Sequence, residues 1–545
     1  MAEDETRPQS QRQLWLLGLL GCVSALVYGW IGWLSWHFGF DSLAPERPTL
    51  LILGLFGILF LLYLFGICVV RQLGNDGRCL RIIVFGSVLF RATMLFSVPI
   101  LEIDIYRYIW DGAAMSAGVS PFLYAPQTVK TADSAVDDPS LQRLVAMRDR
   151  RPSLAEVLDR IHFAELPTVY PIVSQAVFAL SALTTPDQAS VITHLMVMKA
   201  WLIMFDLGTL WLVVKLLGIA GRSPNLAMAY GWCPLLIKEV ANSGHLDAIA
   251  VFFTTLAVYF AARHLVGVRK EAAISMHACL AIVVSFALAV GAKLYPIVLA
   301  PMLAGIAFRK LGFRRSLIWG GVCGLMIGIL VSPMAYQGNA VSDPSEGLKT
   351  FVRRWEMNDF LFLVTVENLR PDDGRGPHAM PWFAIVPDRW RESLAEVAPP
   401  FVVARGITAF AFLFIAVWIA RKVVMDRGPS SDQVARFSEG VFLTLAWFWL
   451  LAPTQNPWYW TWVLPFLPFA KNRAWLLVSG IVFGYYLRFW FADQFPNSAV
   501  LGTRYTGPAF FDFVFIWIEF LPWFVLLWFS WASQRAHTAN PGESR

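Results

Sequence analysis

Glu102-Ile103-Asp104-Ile105-Tyr106-Arg107-Tyr108-Ile109-Trp110-Asp111-Gly112, with Ser120-Pro121-Phe122 close behind, follows directly on an apolar run from Leu80 to Ile100. Acids, an arginine and aromatics are therefore crowded where a membrane span meets water. A helix over residues 104–117 places Asp104, Arg107 and Asp111 at i, i+3 and i+7, on one face. A salt-bridged helix capping a span is the plainest reading of such a stretch. The aromatic clustering, and the partners found further along the chain, point instead to a site.

Working outward, composition sets the class. Of 545 residues 57% are hydrophobic and only 15% charged, with 24 Trp and 42 Phe, which predicts an all-α polytopic membrane protein. The net charge of +6 comes from basic residues in short loops between apolar runs, so it does not signal nucleic-acid binding. All six cysteines lie in apolar runs or beside their ends, against a disulfide framework in water-exposed loops. The first apolar run, from about Leu14 to Trp36, is too long for a signal peptide and reads as a retained span.

Apolar runs of roughly membrane length occur at 13–36, 49–70 and 80–100; then at 167–184, 190–217, 225–240, 246–264, 273–292, 294–307 and 316–336; and finally at 401–420, 437–452, 458–470, 474–491 and 511–533. Two long polar segments, 101–166 and 337–400, separate these groups. The chain thus divides into N-terminal spans (1–100), a first outer loop (101–166), central spans (167–336), a second outer loop (337–400) and C-terminal spans (401–545), all within one membrane module. Basic residues such as Arg71, Arg78, Arg81, Arg309, Lys310, Arg421 and Lys422 fall on one side, with only Arg47, Lys293 and Arg504 in the short loops of the other. That asymmetry puts both termini in the cytoplasm and both long loops outside. If 166 is outside and 224 inside, runs 167–184 and 190–217 supply one net crossing, so the first, broken by Pro167 and Pro171, is expected to be re-entrant or interfacial; the alternative is an exception to the basic-residue rule at Lys215 and Arg222. About fourteen spans result. In the outer loops Ser153-Leu154-Ala155-Glu156 reads as a capping box. Residues 151–157 and 391–397, which nearly repeat, read as amphipathic helices on the outer membrane surface.

Polar residues beside apolar runs are costly unless paired or wet. They gather at turns on the outer side: Asn242-Ser243-Gly244-His245-Leu246-Asp247, Lys293, Trp355-Glu356-Met357-Asn358-Asp359 and Thr454-Gln455-Asn456-Pro457-Trp458-Tyr459-Trp460. Singly, a helix cap, a snorkelling lysine or an aromatic belt accounts for each. Their common side, shared with Glu102 and Asp104, is what those readings do not require. Arg91, Lys199, Asp206 and Arg488 lie deeper.

Asp104 to Gly112, followed by Gly118-Val119-Ser120-Pro121-Phe122, resembles the first-loop signature of polyprenyl-phosphate-dependent glycosyltransferases of the GT-C fold, nearest to the bacterial mannosyltransferase branch. Glu239 with Asn242–Asp247, Lys293-Leu294-Tyr295-Pro296 and Asn456-Pro457-Trp458-Tyr459 match further pieces, so the resemblance spans about residues 85–470. Phe122 stands where the family usually has Tyr, Glu102 where it has Ser or Asp, and two spans precede the usual first. The resemblance implies a GT-C-like bundle in a bacterial plasma membrane with an extracytoplasmic active site. It implies a polyprenyl-phosphate-linked sugar as donor, a hexosyl group as the one transferred and mannosyl by the branch it is nearest to, a glycan or glycolipid acceptor, and inversion by direct displacement. No cofactor is required by it, although Glu102 and Asp104 could hold Mg²⁺ or Mn²⁺.

Chemistry leads the same way. Nucleotide sugars are cytoplasmic, the acidic loop lies outside, and the chain lacks a G-x-G-x-x-G motif, so the donor must be delivered by the membrane lipid. A carboxylate must take the acceptor's proton, cations must hold the leaving phosphate, and aromatics must cover the sugar faces. Asp104 or Glu102 can be the base. Lys293, Arg107, Arg353 and Arg354 can hold phosphate. Tyr106, Tyr108, Trp110, Trp355, Trp458 and Tyr459 can line the sugar, with Asp111, His245, Asp247 and Asn358 as further substrate contacts. The rivals are a transporter or flippase of lipid-linked sugar, which would show repeated halves with broken midplane helices, and a glycan polymerase or ligase using diphosphate-linked oligosaccharide.

Overall fold

The structure, a computed structural model, describes residues 2–42, 46–133, 136–267, 274–336 and 343–539. Helices account for nearly all of the ordered structure, and the described residues contain no strand beyond two isolated bridges. Nine of the described helices are long and apolar enough to cross a membrane, from Ser10–Phe38 to Gly507–Ser533. Their outward faces carry exposed Leu, Ile, Phe and Trp, and helix Phe313–Val331 buries no residue at all. So much apolar surface is stable only against lipid. The chain is a multi-pass membrane protein.

Several apolar runs are shorter or more broken than their hydropathy suggests. The run 225–240 is built of short pieces, ending in a π-helical stretch Ile237–Asn242. The run 294–307 begins as a 3₁₀ turn, Tyr295–Leu299, and 458–470 likewise becomes a 3₁₀ stretch, Leu464–Phe469. Prolines at 296, 465 and 468 remove the amide hydrogens that a continuous helix needs. Within 167–184 the helix is Ile172–Thr184, 13 residues. That is about 20 Å long, well short of the hydrocarbon core.

Gly112 explains how this short helix is used. A Cβ there would lie 2.3 Å from the Phe178 carbonyl oxygen, so helix Ile105–Ser116 crosses Ile172–Thr184 at backbone contact. The glycine of the Trp-Asp-Gly triplet is a packing requirement.

Two sequence expectations in the first loop are corrected. Ser153 does not cap its helix. Pro152–Asp159 starts with proline at its first position, a favoured place for it, and Glu156 turns to Arg160 instead. Nor does this helix present its apolar stripe to lipid: Leu154, Val157 and Leu158 are buried, packed against helix Ile105–Ser116.

Deep charges are matched inside the bundle. Arg91 pairs with Asp206, which also accepts from the Tyr230 hydroxyl at 2.6 Å, and Arg91 donates to the Gly231 and Ser87 carbonyls. Lys199 donates to the carbonyls of Met94, Leu95 and Ser97 at 2.9–3.0 Å, a cation capping the C-terminal end of helix Gly77–Leu95. All six cysteines are free.

Candidate functional site

The segment between Leu95 and Asp104 is held by side chains from distant helices. Beyond the Lys199 cap, Asn242 donates to the Ser97 hydroxyl and the Val98 carbonyl and accepts from the Ile100 amide. The Val98 amide donates to Ser35. So held, the chain reverses at Leu101, whose φ of 64° is left-handed, a conformation costing about 1–2 kcal/mol in a non-glycine residue. The reversal delivers Glu102 and Asp104 to the start of helix Ile105–Ser116.

Asp104 is the N-cap residue of that helix, but its carboxylate caps nothing. Among the described residues no hydrogen bond or ion pair engages it. It is half-buried and within electrostatic reach of Lys293, Tyr108, Tyr170 and Tyr459. The helix amides behind it favour negative charge at this end.

Across from Asp104 lies Asp247, at the start of helix Asp247–Ala261. Lys293 Nζ is 2.6 Å from Asp247 Oδ1, and the Trp462 indole N–H donates to the same oxygen. Asp247 Oδ2 is buried with no partner. Lys293 also sits over the Tyr459 ring, 4.4 Å from its centroid, and 5.3 Å from that of Trp462. Trp462 is stacked in turn on Tyr295 and Tyr459. Tyr108 stacks on Phe178 and meets Tyr170 edge-on. Asp104, Asp247, Lys293, Tyr108 and Tyr459, drawn from four separate turns, thus form one cluster.

A second polar layer adjoins it. Glu102 accepts from the Tyr485 hydroxyl at 2.8 Å. The π-helical stretch carries Lys238 and Glu239, buried together. Tyr486 donates to Glu239 at 2.6 Å, Lys238 Nζ is 3.4 Å from Glu239 and also bonds Tyr486, and His245 Nε2 is 3.3 Å from Glu239 Oε2. The His245 ring lies flat on Trp458, centroids 4.3 Å apart. Gly244, at φ 69°, lets this turn close on the helix of Asp104; a Cβ there would meet Ile105 Cδ1 at 2.4 Å. Burial, reinforced by the charge of Asp104, pushes the Glu102 carboxyl up to about 8, so it is protonated at neutral pH.

Other sequence candidates lie apart. Arg107 and Asp111 pair with each other at 2.9 Å, Arg107 also donating to the Leu166 carbonyl and Gln175 to Asp111. The face expected to join Asp104 to Arg107 and Asp111 is thus divided, with no bond from Arg107 to the Asp104 carboxylate. Tyr106 points the other way, to Phe40 and Arg160. Trp355 packs on Phe163 and Phe351, joining the two long loops, and the neighbouring Arg353 and Arg354 are exposed. Asn358 donates to the Gln455 carbonyl. Trp110 is buried. Tyr170, Trp462, Tyr485 and Lys238 belong to the cluster or its second layer and are not among the sequence candidates. Trp462 could have been found, since it continues the aromatic run from Trp458, and so could Lys238, a charge inside an apolar run beside Glu239; Tyr170 and Tyr485 carried no local signal.

Among the described residues no three His, Cys, Asp or Glu side chains converge as metal ligands. Comparison of the chain with protein-family models, with curated proteins and with solved structures returned no match. Chemically, the cluster offers an unpaired carboxylate, a partly accessible ammonium and stacked aromatic faces. Those are the means to accept a proton, offset an anion and cover a sugar ring.

Proposed function

We propose that the chain is a glycosyltransferase that moves a hexosyl group, mannosyl by resemblance, from a polyprenyl-phosphate donor to a glycan or glycolipid acceptor. The observation that carries the reading is the unengaged Asp104 carboxylate amid acids that all have partners: Asp247 with Lys293, Glu239 with Tyr486, Asp111 with Arg107 and Glu102 with Tyr485. A carboxylate held at a helix N-terminus by so many distant contacts, yet bonded to none of the described residues, is placed for a substrate.

In this reading Asp104 takes the proton from an acceptor hydroxyl. The freed oxygen attacks the anomeric carbon, and the bond from that carbon to the lipid phosphate oxygen breaks, its electron pair leaving with the phosphate. The configuration inverts. Lys293, already held against Asp247, offsets the charge that develops on the leaving phosphate, while Tyr108, Tyr459 and Trp458 cover the sugar. Glu102, neutral at pH 7, leaves Asp104 as the base and spares the phosphate a second negative neighbour. The protein lies in a bacterial plasma membrane with both termini cytoplasmic and this cluster outside.

Purified protein in detergent is supplied with polyprenyl-phosphate-linked mannose or with a mannose nucleotide, plus a membrane-glycan extract as acceptor. Transfer from the lipid donor alone is expected. Use of the nucleotide sugar refutes the reading. So does movement of lipid-linked sugar across proteoliposomes with no new glycosidic bond, which would make the chain a flippase.

A further inference from the structure

Lys238, Glu239 and Asn242 are all but fully buried on the π-helical stretch Ile237–Asn242, and none of them has a part in the proton transfer or the displacement. Such groups inside a membrane bundle are costly unless paired, and π-helical turns are uncommon and gather at functional sites. Traced outward, the bonds of all three lead back to the loop that carries Glu102 and Asp104.

Asn242 commits its whole amide to that loop. Its Nδ2 donates to the Ser97 hydroxyl at 2.8 Å and to the Val98 carbonyl at 2.7 Å, while its Oδ1 accepts from the Ile100 amide at 3.0 Å. An amide offers both donors and the acceptor; an aspartate would set a carboxylate oxygen against the Val98 carbonyl. Leu101, left-handed at φ 64°, comes next, and such a conformation persists where its surroundings over-determine it.

The other members of the stretch close a ring. Glu239 accepts from the Tyr486 hydroxyl at 2.6 Å, and Lys238 bonds both Glu239 and Tyr486. The residue before, Tyr485, donates to Glu102 at 2.8 Å. The loop is therefore gripped at Ser97–Ile100 by Asn242 and at Glu102 by Tyr485, and the Glu239–Tyr486 bond joins the two grips. Asp104 follows two residues on, with no bond of its own among the described residues. Where its carboxylate sits is set by the loop.

We propose that Asn242 is a positioning residue, which holds the Asp104 carboxylate at the acceptor hydroxyl by fixing the loop, with the Glu239–Tyr486 bond as its anchor. The assignment rests on the transferase reading above. A base displaced by about 1 Å can cost about a hundredfold in rate, whereas the donor, held by Lys293 and the aromatic faces, binds as before. Asn242 thus acts on turnover and not on donor affinity.

The test is a double-variant cycle on the purified full chain, with single-turnover transfer and donor binding measured together. Asn242→Ala is expected to slow transfer by about ten- to a hundredfold with donor affinity unchanged. In an Asp104→Asn background it should slow transfer no further, since no base is left to misplace. An equal fall in both backgrounds, or donor affinity lost along with rate, makes Asn242 structural only and overturns the assignment. Amide hydrogen exchange reads the grip without catalysis. Uptake over residues 97–104 should rise in Asn242→Ala and stay unchanged over helix Ser430–Leu451. No rise rejects the grip and leaves the transferase reading standing; a rise in a chain that transfers no sugar rejects that reading alone. Should Asn242→Ala misfold, Tyr486→Phe removes the anchor instead and is read by the same cycle and the same exchange.

Discussion

Asp104 and Glu102 stand two residues apart and are given opposite roles by their surroundings. Asp104 caps no amide and pairs with nothing described; Glu102, also half-buried, takes one hydrogen bond from Tyr485, and its carboxyl is pushed up to about 8 because desolvation and the neighbouring Asp104 disfavour its charge. Below that pH Glu102 is neutral. Above it, a second negative charge appears beside Asp104 and repels a phosphate donor. The transfer rate is therefore expected to fall on the alkaline side with an apparent pKa near 8, and Glu102→Gln is expected to abolish that limb; kcat/KM between pH 6 and 9.5 for both proteins measures it. Stability carries the same sign. A carboxyl whose folded value lies above its ordinary value of about 4.3 favours the fold at low pH, and that contribution is lost as pH rises from there to about 8. Glu102→Gln should therefore raise the thermal transition more at pH 8 than at pH 5.

Between elements, the pair Lys293–Asp247 joins the end of helix Met276–Ala292 to the start of Asp247–Ala261. Asp247 is 1% exposed. Removing the lysine leaves a buried carboxylate with only the Trp462 indole, a loss of about 3 kcal/mol or more. Lys293→Ala is thus expected to lower the thermal transition as well as donor affinity, contrary to what a lone lysine at a turn suggests. Lys293→Met with Asp247→Asn should recover the stability but not the donor affinity. Loss of affinity in the single variant that returns in the double one would show the lysine to be structural only. The turns themselves could be read in the sequence, because Asn242, His245, Asp247, Lys293, Trp458 and Tyr459 interrupt apolar runs. Their pairing could not. Lys293 and Asp247 meet from positions 46 residues apart, and Lys238 and Glu239 fall inside a run that reads as apolar. The helical face drawn through Asp104, Arg107 and Asp111 failed for a local reason: Arg107 finds Asp111 one turn on, and Asp104 lies at the cap, outside the helix.

For the whole molecule, composition and hydropathy were enough to read an all-α membrane protein. Where helices break was legible only in part. The prolines at 296, 465 and 468 mark two of the breaks, whereas the π-helical stretch Ile237–Asn242 has no such marker. Which side each loop faces is an expectation drawn from the basic residues, open to direct measurement. In a cysteine-free background, Ser393→Cys is expected to react with an impermeant thiol reagent on intact cells and Ser431→Cys only after lysis; both positions are exposed. The reverse pattern would place the Asp104 cluster in the cytoplasm and remove the reason for a lipid donor. The most direct test of the mechanism is single-turnover sugar transfer from the polyprenyl-phosphate donor by Asp104→Asn, with donor binding measured in parallel. A rate lower by about a hundredfold or more with donor binding intact is the expected result; a near-normal rate in Asp104→Asn would contradict it.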